Sequence, residues 1–160
     1  MKILVETNVL LDVLLDRREF YDDSAAIWSL AEQGRVAAFL AAVSLTNVYD
    51  IVRRLGDHRK AMRAVVQLRD IFTPARCDAQ VVNQAIDAKM PDVEDAIHYF
   101  SATHAGVEMI VTRNVKHFAR RALPAVTPTE FLVAWEPKRF AGGQGGHSAC
   151  FIPTNGAARR

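Results

Sequence analysis

Lys2–Asp12 reads KILVETNVLLD. Ile3-Leu4-Val5 behind Lys2 is an apolar run of the length of a short buried strand, and the polar triplet Glu6-Thr7-Asn8 ends it. Apolar residues then recur through Val9-Leu10-Leu11 and Val13-Leu14-Leu15, which suits a short helix. A buried strand passing through a polar triplet into a helix is the opening of an α/β layer.

Working outward, the same alternation continues. Asp22-Asp23-Ser24 begin a second helix over Ala25–Gln33, with acidic residues at its positive end and Gly34 as its stop. Val36–Val43 reads as a strand of small residues. Ser44 is expected to cap a helix running through Leu55, closed by Gly56. A basic helix follows over Asp57–Arg69, then a strand candidate over Asp70–Pro74. Asp78 opens a helix through Ala88, and Met90-Pro91 forces an extended break. The spacing predicts a helix over Asp92–Ala105, with Gly106 as its C-terminal signal, and a strand over Met109–Thr112. Asn114–Arg121 is a short basic segment and Ala125-Val126 a last small strand. Thr127-Pro128-Thr129-Glu130 is a capping box with proline at the first helical position, opening a helix to Trp135. Short strands alternating with helices predict a three-layer α/β/α fold with a mostly parallel central sheet. Such sheets collect their chemistry outside the carboxyl ends of the strands. Glu6-Thr7-Asn8 and Thr112-Arg113-Asn114 both fall there.

The whole chain fits one domain: 160 residues, half of them hydrophobic and 24% charged. That composition excludes wholesale disorder and a disulfide-built scaffold. Among the apolar runs none approaches the ~20 residues that cross a bilayer, so no membrane association is expected. Glu6 and Asp12 interrupt the apolar N-terminal stretch, which does not read as a secretory signal. With Cys77 and Cys150 as the two cysteines, a reducing, cytoplasmic setting is the expectation. Twenty Lys and Arg against 18 Asp and Glu leave a formal charge of +2. Arginine dominates the basic set, and guanidinium matches phosphate geometry.

Four stretches in this order, KILVETNVLLD (Lys2–Asp12), SLTNVYDIVRR (Ser44–Arg54), DVEDAIHYFSA (Asp92–Ala102) and IVTRNVKHF (Ile110–Phe118), resemble the PIN domains, a family of metal-dependent nucleases that includes VapC-like toxins of toxin–antitoxin pairs. The resemblance spans about residues 1–136 and leaves a Gly-rich tail, residues 137–160, outside it. It implies an endoribonuclease that uses Mg²⁺ or Mn²⁺ and a water nucleophile, leaving a 5′-phosphate and a 3′-hydroxyl. The partners it implies are an RNA substrate, a cognate antitoxin and a second copy in a homodimer.

The residues fit that chemistry. Hard divalent ions want oxygen ligands, and a Mg²⁺ ion is typically held by one or two carboxylates with water and substrate phosphate. Glu6, at the end of the first strand, and Asp95, on a helix, are the candidate metal ligands; the family's metal-binding carboxylate matches Asp95. Asn114 is placed to orient water, and Asn47 to offer a carbonyl oxygen where many PIN domains carry glutamate. Thr7, Asn8 and Thr112 read as loop-orienting groups, and Asp92 as either a helix cap or a partner that supports a ligand. Arg113, Lys116, His117 and Arg120 form a basic cluster for RNA phosphates. Glu94 reads as solvated, and His58, His98 and His104 show no partner pattern.

Two departures from the family bear on activity. Glu6 stands where the family usually has aspartate, moving the carboxylate outward by about 1.5 Å when productive geometry tolerates about 0.5 Å. Asn47 removes a charge. Together they imply an alternative: a PIN-fold RNA-binding or regulatory protein with weakened or lost catalysis.

Overall fold

A computed structural model describes residues 1–135; the tail expected over 137–160 lies outside the described residues. Element order is β1 (Lys2–Val5), α1 (Thr7–Leu14), α2 (Tyr21–Glu32), β2 (Ala37–Ala41), α3 (Ala42–Leu55), α4 (His58–Ile71), β3 (Thr73–Ala75), α5 (Ala79–Asp87), α6 (Val93–Ala105), β4 (Met109–Val111), a 3₁₀ turn (Val115–Phe118), β5 (Ala125–Val126) and α7 (Pro128–Trp135). The five strands form one sheet in the order β3-β2-β1-β4-β5, and every pairing is parallel. The expected α/β/α architecture is therefore present, with a sheet that is parallel throughout the described residues.

Alternation along the strands divides the core into two layers. Ile3 and Val5 face one apolar cluster with Leu10, Ile27, Val48, Leu68 and Phe131. Leu4 faces the other, with Ala96, Tyr99, Ala102 and Ile110. A strand buried on both faces needs apolar side chains at every position, which is why ILV runs without a polar break.

Local signals account for most helix ends. Asp78 accepts from the backbone N–H of Val81, and Asp57 from that of Lys60, each capping a helix N-terminus. Thr127 and Glu130 cap reciprocally, as the capping box predicts. Gly106 ends α6 in the left-handed region, with φ 63°, a conformation that favours glycine. Two boundaries differ from the sequence expectation. Helix α3 starts at Ala42, directly from β2, with Ala41 at the cap position and no side-chain cap bond. Ser44 is not its cap: it lies in the first turn, fully buried, and accepts a hydrogen bond from Thr7 Oγ1 at 2.9 Å. Asp70 belongs to α4, and the edge strand β3 begins only at Thr73.

Strand order sets the place of the site. The chain leaves β1 toward β2 on one side and returns to β4 on the other. Between β1 and β4 lies a topological switch point, whose carboxyl-end crevice is where ligands bind in parallel sheets.

Candidate active site

Glu6 follows β1 and caps α1, its Oε1 accepting from the backbone N–H of Asn8 at 3.4 Å. Its Oε2 accepts from Thr112 Oγ1, beyond β4, at 2.9 Å. The Thr112 hydroxyl also accepts from the backbone N–H of Asn114 and from Asn8 Nδ2. One buried threonine thus ties the loops after the two central strands together around a carboxylate. Glu6 caps the helix and also lines a cleft, so the two readings of it are compatible.

Around that carboxylate opens a cleft of about 460 Å³, with Asn8, Asn47, Asp92, Glu94, Asp95 and Asn114 in its walls. Asp92 caps α6, accepting at Oδ1 from the backbone N–H of Glu94 at 2.7 Å and of Asp95 at 3.3 Å. The cap aligns the first turn of α6 so that two acidic side chains are delivered to the cleft. Asp95 Oδ2 lies 2.8 Å from His117 Nδ1. Glu94, expected in solvent, instead turns toward α3: Asn47 Nδ2 donates to its Oε1 at 2.6 Å. One turn on, His98 Nε2 is 3.5 Å from the same oxygen and 3.3 Å from Thr7 Oγ1. His98 is fully buried.

Electrostatics follow from this crowding. Burial pushes the Glu6 carboxyl above its ordinary value, the neighbouring His98 ring and the bonds from Thr112 and Asn8 oppose it, and the negative charge of Asp95 pushes it further up. Asp95 is likewise raised, by burial first and by Asp92, with His117 opposing. Glu94 is held low by the His98 ring beside it, despite some burial, with Asn47 adding to the effect. Asp50, Asp92, Glu94 and Asp95 line the cleft with Glu6, against the two arginines Arg17 and Arg54. A cation relieves such a cluster.

The donor atoms suit one. A Glu6 oxygen, a Glu94 oxygen and a His98 nitrogen lie within 4.8 Å of one another, a span that one ion with bonds of about 2.0–2.4 Å bridges. Asp95 shares the cleft but stands outside this trio.

The basic cluster divides. Lys116 and Arg120 are exposed, and His117 faces Asp95 at the rim. Arg113 points away from the cleft: its guanidinium stacks on the Phe20 ring at 4.1 Å, and Nε sits 3.1 Å from Asp12 Oδ2, off the angle of a hydrogen bond. Arg17 and Arg54, on other elements, line the cleft instead. Sequence reasoning missed both, along with Glu94 and His98. For the last two a signal existed in their i,i+4 spacing, which puts both on one helix face.

Residues 2–116 match the family described as PIN domain. The chain belongs to the PIN domain family. Solved structures agree in fold. The VapBC2 complex from Rickettsia felis, bound to a DNA fragment from its promoter, aligns with a TM-score of 0.60 and 13% identity, covering 79% of this PIN domain chain and 98% of that one. A toxin–antitoxin complex from Klebsiella pneumoniae gives 0.60 and 18%, covering 79% and 97%. VapBC-1 from nontypeable Haemophilus influenzae gives 0.59 and 13%, covering 81% and 99%. No curated protein matches the chain at a significant level. At these identities the likeness is one of fold, and the PIN domain's site has to be argued from its own residues.

Proposed function

We propose that this PIN domain is a divalent-metal-dependent endoribonuclease, the toxin of a toxin–antitoxin pair acting in the cytoplasm. The observation that carries the reading is the cleft at the carboxyl ends of β1 and β4, where Glu6, Glu94 and Asp95 converge with the amides of Asn47 and Asn114. The toxin role is supported by the fold likeness to solved toxin–antitoxin complexes. On this reading an antitoxin and a second copy of the chain are its protein partners. Among the described residues no helix is long and apolar enough to cross a membrane.

A bound Mg²⁺ or Mn²⁺ ion supplies Lewis acidity at the scissile phosphate and lowers the pKa of water. Glu6, fixed in place by Thr112 and the α1 N-terminus, would hold such an ion. Asp95 stands across the cleft to hold the ion or the proton released by the attacking water, and His117 keeps its carboxylate in one orientation. Asn114 orients water at the mouth, and Asn47 locks Glu94. Arg17, Arg54, Lys116 and Arg120 meet the phosphates on either side, and their planar or point charges bind backbone rather than base. Water attacks phosphorus and gives its proton to Asp95, the P–O3′ bond breaks, the leaving 3′-oxygen takes a proton from solvent, and the products are a 5′-phosphate and a 3′-hydroxyl.

A second reading has its own observation. Both Glu6 oxygens already accept protein hydrogen bonds and Asp95 is paired with His117, the arrangement of a site that binds RNA with weakened catalysis. Incubating end-labelled single-stranded RNA with the protein in Mn²⁺, or in EDTA, separates the two. Cleavage in Mn²⁺ alone, with 5′-phosphate ends, supports the nuclease; equal RNA retention with no cleavage in either supports the second reading.

A further inference from the structure

His98 is the buried titratable group that the mechanism above leaves unused. Its ring is 0% exposed, beneath the cleft floor. All its polar contacts are on the Nε2 edge, to Thr7 Oγ1 at 3.3 Å and Glu94 Oε1 at 3.5 Å. Nδ1 is buried and has no hydrogen-bond partner among the described residues. Thr7 gives its own hydroxyl proton to Ser44, so Nε2 carries the ring proton toward Thr7 and Glu94, and a bound cation would take that proton's place.

A structural ion pair within α6 is the competing explanation, and the distances disfavour it. Charge-assisted N–H···O bonds close to about 2.7–2.9 Å. Glu94 Oε1 instead takes its short bond from Asn47 at 2.6 Å and keeps His98 at 3.5 Å. Two ligands of one ion, each about 2.1 Å from it, stand about 3.0–3.4 Å apart at octahedral to tetrahedral angles. The Glu94–His98 separation of 3.5 Å lies at the outer edge of the co-ligand range. Glu6 completes the set, with its donor atom inside the same 4.8 Å span.

We infer that His98 Nε2 is a nitrogen ligand of the cleft's cation, with Glu6 and Glu94, and that the site therefore selects a first-row transition dication of the cobalt–zinc type over magnesium. The chemistry of the donors gives the preference: imidazole suits the borderline-soft ions, whereas Mg²⁺ seeks oxygen and keeps its waters. The inference rests on the cleft's being a cation site but not on its cutting RNA. It puts an ion of the cobalt–zinc type where the nuclease reading has magnesium or manganese.

Calorimetric titration of the full chain with Zn²⁺, Co²⁺ and Mg²⁺ separately, in wild type, His98→Gln and His98→Asn, tests it without reference to cleavage. Wild type is expected to bind Zn²⁺ and Co²⁺ at least tenfold more tightly than Mg²⁺, and both variants to lose at least tenfold for Zn²⁺ and Co²⁺ with Mg²⁺ unchanged. Since a buried ring is being replaced, circular dichroism first establishes that each variant is folded. Should neither fold, ¹⁵N-histidine-labelled wild type gives the answer directly. Zn²⁺ must then shift the Nε2 resonance of the buried ring. Unchanged Zn²⁺ affinity in a folded variant, or an unshifted buried resonance, overturns the assignment and leaves the nuclease reading standing. No dication binding to wild type overturns both.

Discussion

Two buried carboxylates sit six positions apart in sequence, at either end of the first helical stretch, and the protein treats them in opposite ways. Asp12 is fully buried on α1, with Arg113 at 3.1 Å, Arg17 at 3.4 Å and Ser24 Oγ at 3.4 Å around it. Burial pushes its carboxyl up, and Arg113 and Arg17 pull against that. Glu6, 7% exposed, has no arginine or lysine within ion-pair distance among the described residues; its company is Thr112, Asn8, Glu94 and His98. A buried acid whose charge the fold balances is architecture, here a knot that pins the loop after α1 to the loop after β4. One left among other acids is a place for something that is not protein. The contrast separates the acid that the fold satisfies from the acid that the proposed site would use more sharply than burial does, since both are buried.

That contrast is breakable. Asp95→Asn is expected to cut divalent-dependent RNA cleavage by at least about 100-fold, the scale of losing one preorganised charge at a reacting phosphate, with an unchanged circular dichroism spectrum. Retained cleavage at limiting Mn²⁺ removes Asp95 from the site. Asp12→Ala should act on the fold instead. It strands two arginines, and removing one partner of a buried pair costs about 3–5 kcal/mol. Because Arg17 and Arg113 keep some solvent contact, the low end applies, about 3 kcal/mol, or roughly 6–12 °C in melting temperature at this size. A shift under about 2 °C contradicts the knot.

Glu6→Gln should move stability the other way. The Glu6 pKa in the folded chain is raised above its ordinary value of 4.5. Its protonated form therefore favours folding fully below the unfolded pKa, and that contribution is lost as pH rises through the folded one. At pH 7 the ionised group is a burden. A neutral glutamine avoids it, so Glu6→Gln is expected to melt above wild type at pH 7 and level with it near pH 4, while losing cleavage. An equal deficit at both pH values means that Glu6 is held by its hydrogen bonds alone. The smallest effect is at the rim: Arg54→Ala should raise the KM for RNA about two- to fivefold at low salt, less at high salt where exposed charges are screened, with kcat unchanged.

How much of this was legible in the sequence depends on whether the cause was local. The strand ILV, the caps at Asp78 and Asp92, the capping box at Thr127–Glu130 and the glycine stop at 106 act within a few residues, and each was readable. So was the convergence of the Glu6 and Asn114 loops, which parallel topology brings together. Ser44 was misplaced because β2 feeds α3 with no turn, and its hydroxyl serves Thr7, 37 residues away. Glu94 and His98 were read as bland because what faces them, Asn47 and Thr7, comes from other elements. Arg113 sits in the right triplet but turns to Asp12 and Phe20, a choice made by packing that no spacing encodes.

The account turns on the cleft's having charge to share with a dication and the Asp12 knot's having none. Melting curves at pH 7 of wild type, Glu6→Gln and Asp12→Ala, each with and without Mn²⁺, put that in one measurement. Mn²⁺ at about 100 times its Kd should stabilise wild type by about 2.7 kcal/mol, or roughly 5–10 °C. The same increment is expected in Asp12→Ala, from a lower starting point, and most of it should vanish in Glu6→Gln. An equal rise in Glu6→Gln, or none in wild type, would contradict the account.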